Sequence, residues 1–296
     1  MMLYGELACL GSAFLWAITL NLMSGPIERY GARVINLAKC GIAAVMLGIT
    51  VLLAGQTGAM LAASPRDLTL IGISGLLGLV LGDTALFASV ARLGVHRSLL
   101  LQSLAPVFTA LLAAAWLGER LTAIQGLGAA VILAGVLLVV APGRADTRSA
   151  AGWSIAGILF GLIAAFGQGS GVVVAKEGMA EIPTLSATFL RLAASVAGLV
   201  LIDLLLRRGG RYVELARDGK TLGRVVPATF LGTYVALYLM MAGVKFAPAA
   251  IAAVLLSTPP VFSLVIESVL ERRLPTLRGV VGTALAVTGV AILVVP

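Results

Sequence analysis

The 296-residue chain is 60% hydrophobic and only 11% charged, whereas a soluble domain carries about 25% charged residues. Its apolar runs last about 20 residues, the length of a crossing helix, which excludes a soluble fold and also the short alternating strands of a membrane barrel. The net charge of +8 comes from Arg and Lys that flank apolar runs, where they orient helices and meet anionic lipid, so no nucleic-acid partner is expected.

Roughly ten segments have the length and apolarity to span a bilayer: 3–23, 33–54, 68–90, 97–116, 122–141, 152–174, 184–206, 223–244, 249–269 and 277–295. The first lacks a basic leader and a clear small-residue cleavage site, so it is expected to be a retained helix and not a signal peptide. On it Ser12, Trp16 and Thr19 share one face. A tryptophan this deep lies away from the interfacial belt and could stack on an aromatic or cationic solute, or simply pack as a core aromatic. Cys9 and Cys40 both lie in apolar runs and read as small core residues, not as a disulfide. Lys39 in the second run and Arg191 in the seventh each sit a turn or two inside their helix, where snorkelling to the interface is the default.

Asp83 lies well inside the third run, after Gly82. A carboxylate in hydrocarbon is costly, so it should face the bundle interior or water, as a proton carrier, as the partner of a cationic solute, or as a structural helix–helix hydrogen bond. In the fourth run Ser98, Gln102, Ala105 and Thr109 recur at helical spacing around Pro106. They make a polar-to-small face suited to lining a cavity or to close helix packing. His96 is the single histidine, and one histidine without cysteines or clustered carboxylates cannot fill a ligand set, so no metal site and no cofactor are expected.

The segment Pro142–Ala150 divides the chain. Beyond it Gln168 stands in Gly167-Gln168-Gly169-Ser170-Gly171. Without a preceding strand or a following Gly-Lys-Ser/Thr this is no phosphate loop, and it reads as a thinned helix with Gln168 facing the cavity. The loop Arg207–Arg224 holds six basic residues. Tyr234 and Tyr238 are one turn apart on the eighth run with Phe230 on the same side, and their hydroxyls need partners that either a polar cavity or a neighbouring helix would supply. Glu267 lies near a helix end, where a solvated glutamate is the plain reading.

The chain repeats itself. Ser103-Leu104-Ala105-Pro106-Val107-Phe108 returns as Ser257-Thr258-Pro259-Pro260-Val261-Phe262, an offset of 154 that also carries Gly128 onto Gly282 and Gly135 onto Gly289. Pro106 and Pro260 stand inside apolar runs and should kink or break them. In lipid such a break is tolerated only where protein or a water-filled cavity covers the freed carbonyl, so the two prolines point to a cavity between the halves. Five spans per half force the second half into the membrane upside down. The expected fold is therefore an all-α integral membrane protein of about ten transmembrane helices in two inverted five-helix repeats, 3–141 and 152–295.

The segment 82–128 resembles the EamA-type repeat of the drug/metabolite transporter superfamily. The resemblance rests on Ala85–Ala91, on Ser103, Pro106 and Val107, on Leu117-Gly118-Glu119-Arg120-Leu121, and on Gly126, Gly128 and Gly135. The second copy keeps Ser257, Pro260, Val261, Gly282 and Gly289, with Glu271-Arg272-Arg273-Leu274 displaced by a residue or two. The resemblance implies a secondary transporter of small organic solutes, many relatives being exporters of amino acids and other metabolites, working by alternating access in the cell (inner) membrane. Energy would come from protons, another coupling ion or solute exchange, since no nucleotide-binding motif is present. A lipid flippase or scramblase on the same scaffold is the alternative. A lipid-modifying enzyme is disfavoured by the lack of Gly-x-Ser-x-Gly, His-Glu-x-x-His or a His-rich cluster. Orientation stays open: four basic residues fall on one side and fifteen on the other, which puts both termini outside, whereas many relatives keep them in the cytoplasm. Oligomeric state is open as well.

The candidate solute-binding or coupling residues are thus Trp16, Asp83, Gln102, Gln168, Tyr234 and Tyr238, with Pro106 and Pro260 as helix breaks or hinges.

Overall fold

The computed structural model describes residues 2–117, 122–140, 154–179, 181–206, 210–246, 255–272 and 274–293. The Gly118–Leu121 part of the repeat motif, the 142–150 connection, and Arg207, Arg208 and Arg273 lie outside them. Among the described residues eleven main helical segments follow in order: α1 Met2–Tyr30, α2 Ala32–Leu53, α3 Pro65–Leu93, α4 Val95–Gln102, α5 Ala105–Leu117, α6 Ala123–Val140, α7 Ile155–Gly178, α8 Thr184–Leu205, α9 Gly219–Phe246, α10 Pro259–Glu271 and α11 Leu277–Leu293. Two short helices, Thr57–Leu61 and Gly210–Arg217, lie in connections. Six of the long helices have the length and apolarity to cross a membrane, and α6, α10 and α11 are shorter apolar helices. Large apolar side chains such as Leu7, Val45, Leu201 and Leu204 are exposed, as lipid-facing residues are.

Local chemistry sets the boundaries. Gly31 and Gly94, at φ 90° and 82°, form the sharp turns into α2 and α4, a conformation that costs a side-chain-bearing residue energy. Ser64 caps α3 by accepting from Asp67 N at 3.1 Å, and Ser154 caps α7 by accepting from Gly157 N at 3.2 Å. The proline runs are broken outright, and the break comes before the proline. α4 ends at Gln102 and α5 begins at Ala105, so Pro106 sits in the first turn; in the second half Pro259 and Pro260 open α10 after a turn at Ser257. The first turn is where a missing N–H costs nothing. Counting α4 and α5 as one broken segment, the described residues of each half hold five apolar helical segments.

The second half runs opposite to the first. The start of α1 meets the end of α9, with Tyr4 and Phe246 rings 6.0 Å apart, and the end of α7 meets the start of α3 through an Arg66–Glu177 ion pair. The symmetry reaches details that periodicity does not show. α2 and α8 are both 22 residues long and start 152 apart, and α3 and α9 each contain a π-helical stretch, Leu76–Asp83 and Phe230–Val235, starting 154 apart. The first helix of each half packs on the third helix of the other. Ser12 Oγ donates to Ala236 O at 2.7 Å on one side, while on the other a Cβ at Gly167 or Gly171 would fall 2.7–2.9 Å from α3 backbone. α6 and α11 form a glycine seam, where a Cβ at Gly135 would lie 2.5 Å from Gly282 O and one at Gly282 would lie 2.8 Å from Gly135 O.

Candidate functional site

A cavity of about 400 Å³ lies between the two halves. Trp16, Asp83, Gln102 and Gln168 all line it, as do Pro106 and Pro260. It reaches the surface at exposed Lys176, at the end of α7, beside Gln125 at the start of α6 and Val244 near the end of α9. Its deep end is Lys39 and Asp83. Apolar side chains such as Leu79, Val172, Leu237 and Met240 make up much of the wall.

Lys39 is the residue that the sequence reading missed. It does not snorkel: it is 0% exposed, and its Nζ donates to Asp83 Oδ2 at 2.5 Å. The Trp16 and Phe87 rings flank the ammonium, at 5.4 and 5.3 Å to their centroids, so the charge is covered by π faces as well as by the carboxylate. Asn36, one turn before Lys39, binds α3 at and just after the same stretch, donating to the backbone Leu79 O at 2.7 Å and to the Thr84 hydroxyl Oγ1 at 2.8 Å. Those bonds hold α2 in register with the π segment and set Lys39 on Asp83. A π stretch is a recurrent feature of functional sites because it leaves backbone groups partly free.

Arg191 is also fully buried and does not snorkel. Its Nη1 lies 3.4 Å from Met241 Sδ, and its Nε and Nη2 have no hydrogen-bond partner among the described residues. Its guanidinium occupies the place a side chain at Gly78 would need, since a Cβ there would fall 2.2 Å from Nη2. Thr233 is a second residue the sequence did not flag; it lines the cavity and its hydroxyl has no partner among the described residues.

The tyrosines fall elsewhere. Neither Tyr234 nor Tyr238 lines the cavity. Tyr234 hydrogen-bonds Thr50 at 2.8 Å and stacks on Phe230 at 5.3 Å; Tyr238 lies near Tyr4. The Tyr234 hydroxyl finds its partner on α2, and the face of α9 that meets the cavity is instead Gly232, Thr233, Ala236, Leu237 and Met240. Gln168 points its Nε2 at Met240 Sδ, 3.6 Å away, and Thr109 Oγ1 donates to Gly169 O at 3.3 Å. Glu267 is not simply solvated. It accepts from His96 N at 2.9 Å and Ser263 Oγ at 3.2 Å, capping the start of α4 from α10 at the end opposite Lys176.

Among the described residues no group of His, Cys, Asp and Glu could hold a metal ion. Cys9 and Cys40 are buried free thiols.

Comparison with known proteins decides the family. The EamA-like transporter family matches residues 3–141 and again residues 155–295. The chain belongs to the EamA-like transporter family. Two curated proteins are similar to this EamA-like transporter over part of its length. One, from Streptantibioticus cattleyicolor, is described as a probable terminal-alkyne amino-acid exporter and is 29% identical over 47% of this chain and 46% of its own. The other, the protein LicB of Haemophilus influenzae, is 32% identical over 44% of this chain and 43% of its own. The chain thus spans less than half the length of these relatives. A solved crystal structure superposes with a TM-score of 0.69 at 21% identity, over 99% of this chain and 96% of that one, a likeness of fold.

Proposed function

We propose that this EamA-like protein is a secondary transporter that moves a small amphipathic solute of the amino-acid class out of the cell by alternating access across the cell (inner) membrane. The observation that carries the reading is the cavity between the two halves. It is lined by exposed Lys176 and by the buried Lys39–Asp83 pair, deep between two halves of opposite direction, the arrangement in which rocking of one half against the other exposes a midplane site to each side in turn. Apolar walls with a few polar groups suit a solute with a polar head and an apolar body. The amino-acid class and the export direction draw on what the Streptantibioticus cattleyicolor relative is described as. If the Arg-rich side is cytoplasmic, the cavity faces outward in this state. Protons or another ion are the coupling candidates.

A lipid flippase is the second reading. A groove of about 1120 Å³ between α3, α7 and α8 carries Arg33 and Arg211 at one end. Arg33 is held by Asp203 at 2.8 Å, and Arg211 donates to Tyr30 O at 3.3 Å. Both cations are therefore engaged by protein, which weighs against headgroup capture.

Purified protein in liposomes loaded with unlabelled amino acids should exchange labelled amino acid from outside. Scrambling of labelled phospholipid without any solute exchange would end the transporter reading.

A further inference from the structure

Away from the helix ends, three ionised side chains are buried among the described residues: Lys39 at 0%, Asp83 at 2% and Arg191 at 0% exposure. Together they leave one positive charge uncompensated, a costly state in a low-dielectric interior. The two cations are counterparts. Lys39 and Arg191 each stand seven residues beyond the first residue of a 22-residue helix, the second helix of its half. Because the halves run in opposite directions, they approach from opposite depths. Both meet the same π segment of α3: Arg191 Nη2 lies against Gly78, and Lys39 Nζ is bonded to Asp83. Asp83 interacts electrostatically with both cations. Lys39 lines the cavity and Arg191 does not.

From this arrangement we infer that the transported solute carries a carboxylate, that this carboxylate replaces Asp83 on Lys39, and that Asp83 passes to Arg191. With the site unloaded one of these cations lacks a counter-charge; in the loaded protein Lys39 pairs with the solute carboxylate and Arg191 with Asp83, so each of the three buried side-chain charges has a partner. A solute that reaches the cavity can touch Lys39, whereas among the described residues the carboxylate that acts on Arg191 is Asp83. The handover also shifts α3 from α2 towards α8, which links occupancy to movement between the halves. This inference rests on the solute-transport reading above and gives it a chemical class, an organic carboxylate, whether from an amino acid or from a simple acid.

Four related compounds separate the possibilities on the unmodified protein: leucine, isocaproate (carboxylate alone), isoamylamine (ammonium alone) and leucinamide. Binding is read by the shift in melting temperature of the purified protein, and transport by exchange in liposomes. Leucine and isocaproate are expected to bind about tenfold or more tighter than leucinamide and isoamylamine, the size of one lost charge-assisted hydrogen bond. Equal or tighter binding of the two amine-only compounds, with exchange intact, would overturn the carboxylate subsite and leave the transporter standing. No binding or exchange of any of the four would remove both readings. Arg191→Gln should weaken isocaproate binding about tenfold while the empty protein melts no lower than wild type, because an isolated buried charge has been removed. Arg191→Lys should retain most of the binding. A Gln variant that melts lower yet binds isocaproate unchanged would show Arg191 to be structural and overturn the handover.

Discussion

Lys39 Nζ and Asp83 Oδ2 lie 2.5 Å apart, buried, at the deep end of the cavity. From sequence alone, Asp83→Asn reads as a change that leaves folding nearly intact, since the amide keeps size and hydrogen bonding. The pair reverses that expectation, because Asn at position 83 leaves Lys39 charged and without a counter-ion. Asp83→Asn, which leaves two buried cations without a carboxylate, should lose about 3–5 kcal/mol of stability, and Lys39→Met should lose less, because Asp83 can then pair with Arg191. The double variant Lys39→Met/Asp83→Leu should recover most of it, because a buried pair replaced by apolar groups of similar volume is often neutral. Exchange in liposomes should stay absent in the double variant. Melting temperature and exchange measured together check this; a fully active double variant would remove the pair from the transport site.

The α6–α11 seam tests the glycine repeat. A Cβ at Gly135 would meet backbone, Gly282 O at 2.5 Å and Ala286 N at 2.8 Å, so the helices must separate. Gly135→Ala should therefore cost about 1–3 kcal/mol. Gly126→Ala has nothing within 4 Å of its new Cβ and should be neutral or slightly stabilising, by up to about 1 kcal/mol as expected for a helical glycine. Thermal melts of the two variants side by side give the comparison.

The connection between α8 and α9 should respond to pH in a defined direction. Asp218 accepts from Thr221 Oγ1 at 2.6 Å, Thr221 N at 3.1 Å and Tyr30 OH at 2.8 Å, and pairs with Arg29 at 2.9 Å. The hydrogen bonds from Thr221, first of all, hold its carboxyl well below the usual carboxylate range. A depressed folded value means that the anchoring is fully present above the unfolded value, about 4, and is lost as pH falls through the folded value. Nearby, Tyr212 OH donates to Asp203, and burial followed by that bond raises the phenol above its ordinary value. Its contribution is present below about pH 10 and lost as pH rises through the raised value. Hydrogen-exchange protection across Gly210–Arg217, once corrected for the base-catalysed rise of the intrinsic rate, should thus be flat from mildly acidic to neutral pH. Asp218→Asn should speed exchange at neutral pH, and its difference from wild type should shrink once the pH falls below the unfolded value.

Topology has a clean chemical test. Cys9 and Cys40 are buried, so a single exposed cysteine reports its own side. Lys220→Cys, exposed in the Arg-rich connection, should resist an impermeant thiol reagent added to intact cells and react after permeabilisation. Labelling from outside would place that connection, and both termini with it, on the opposite sides from those expected from the Arg and Lys distribution.

Features with a local cause were legible in the sequence. Span number follows from the length of apolar runs, the break near Pro106 and Pro260 from the missing N–H, and the opposed halves from an odd number of crossings per repeat. Trp16, Asp83, Gln102 and Gln168 were traceable because a polar or bulky group deep in a spanning run stands out against apolar neighbours. What the residues could not tell was which way each helix turns its faces. Residues 230–244 of α9 are apolar nearly all round, so nothing in their periodicity distinguishes the Thr233 side from the Tyr234 and Tyr238 side; contacts with α1 and α2 decide it through Ser12 Oγ on Ala236 O and Tyr234 on Thr50. Lys39 reads as a snorkelling cation by position, and only the packing of α2 on α3, fixed by Asn36 on Leu79 O, brings it to a carboxylate 44 residues away. The tertiary structure decided these points because a buried charge is placed by its partner, and the partner comes from another helix.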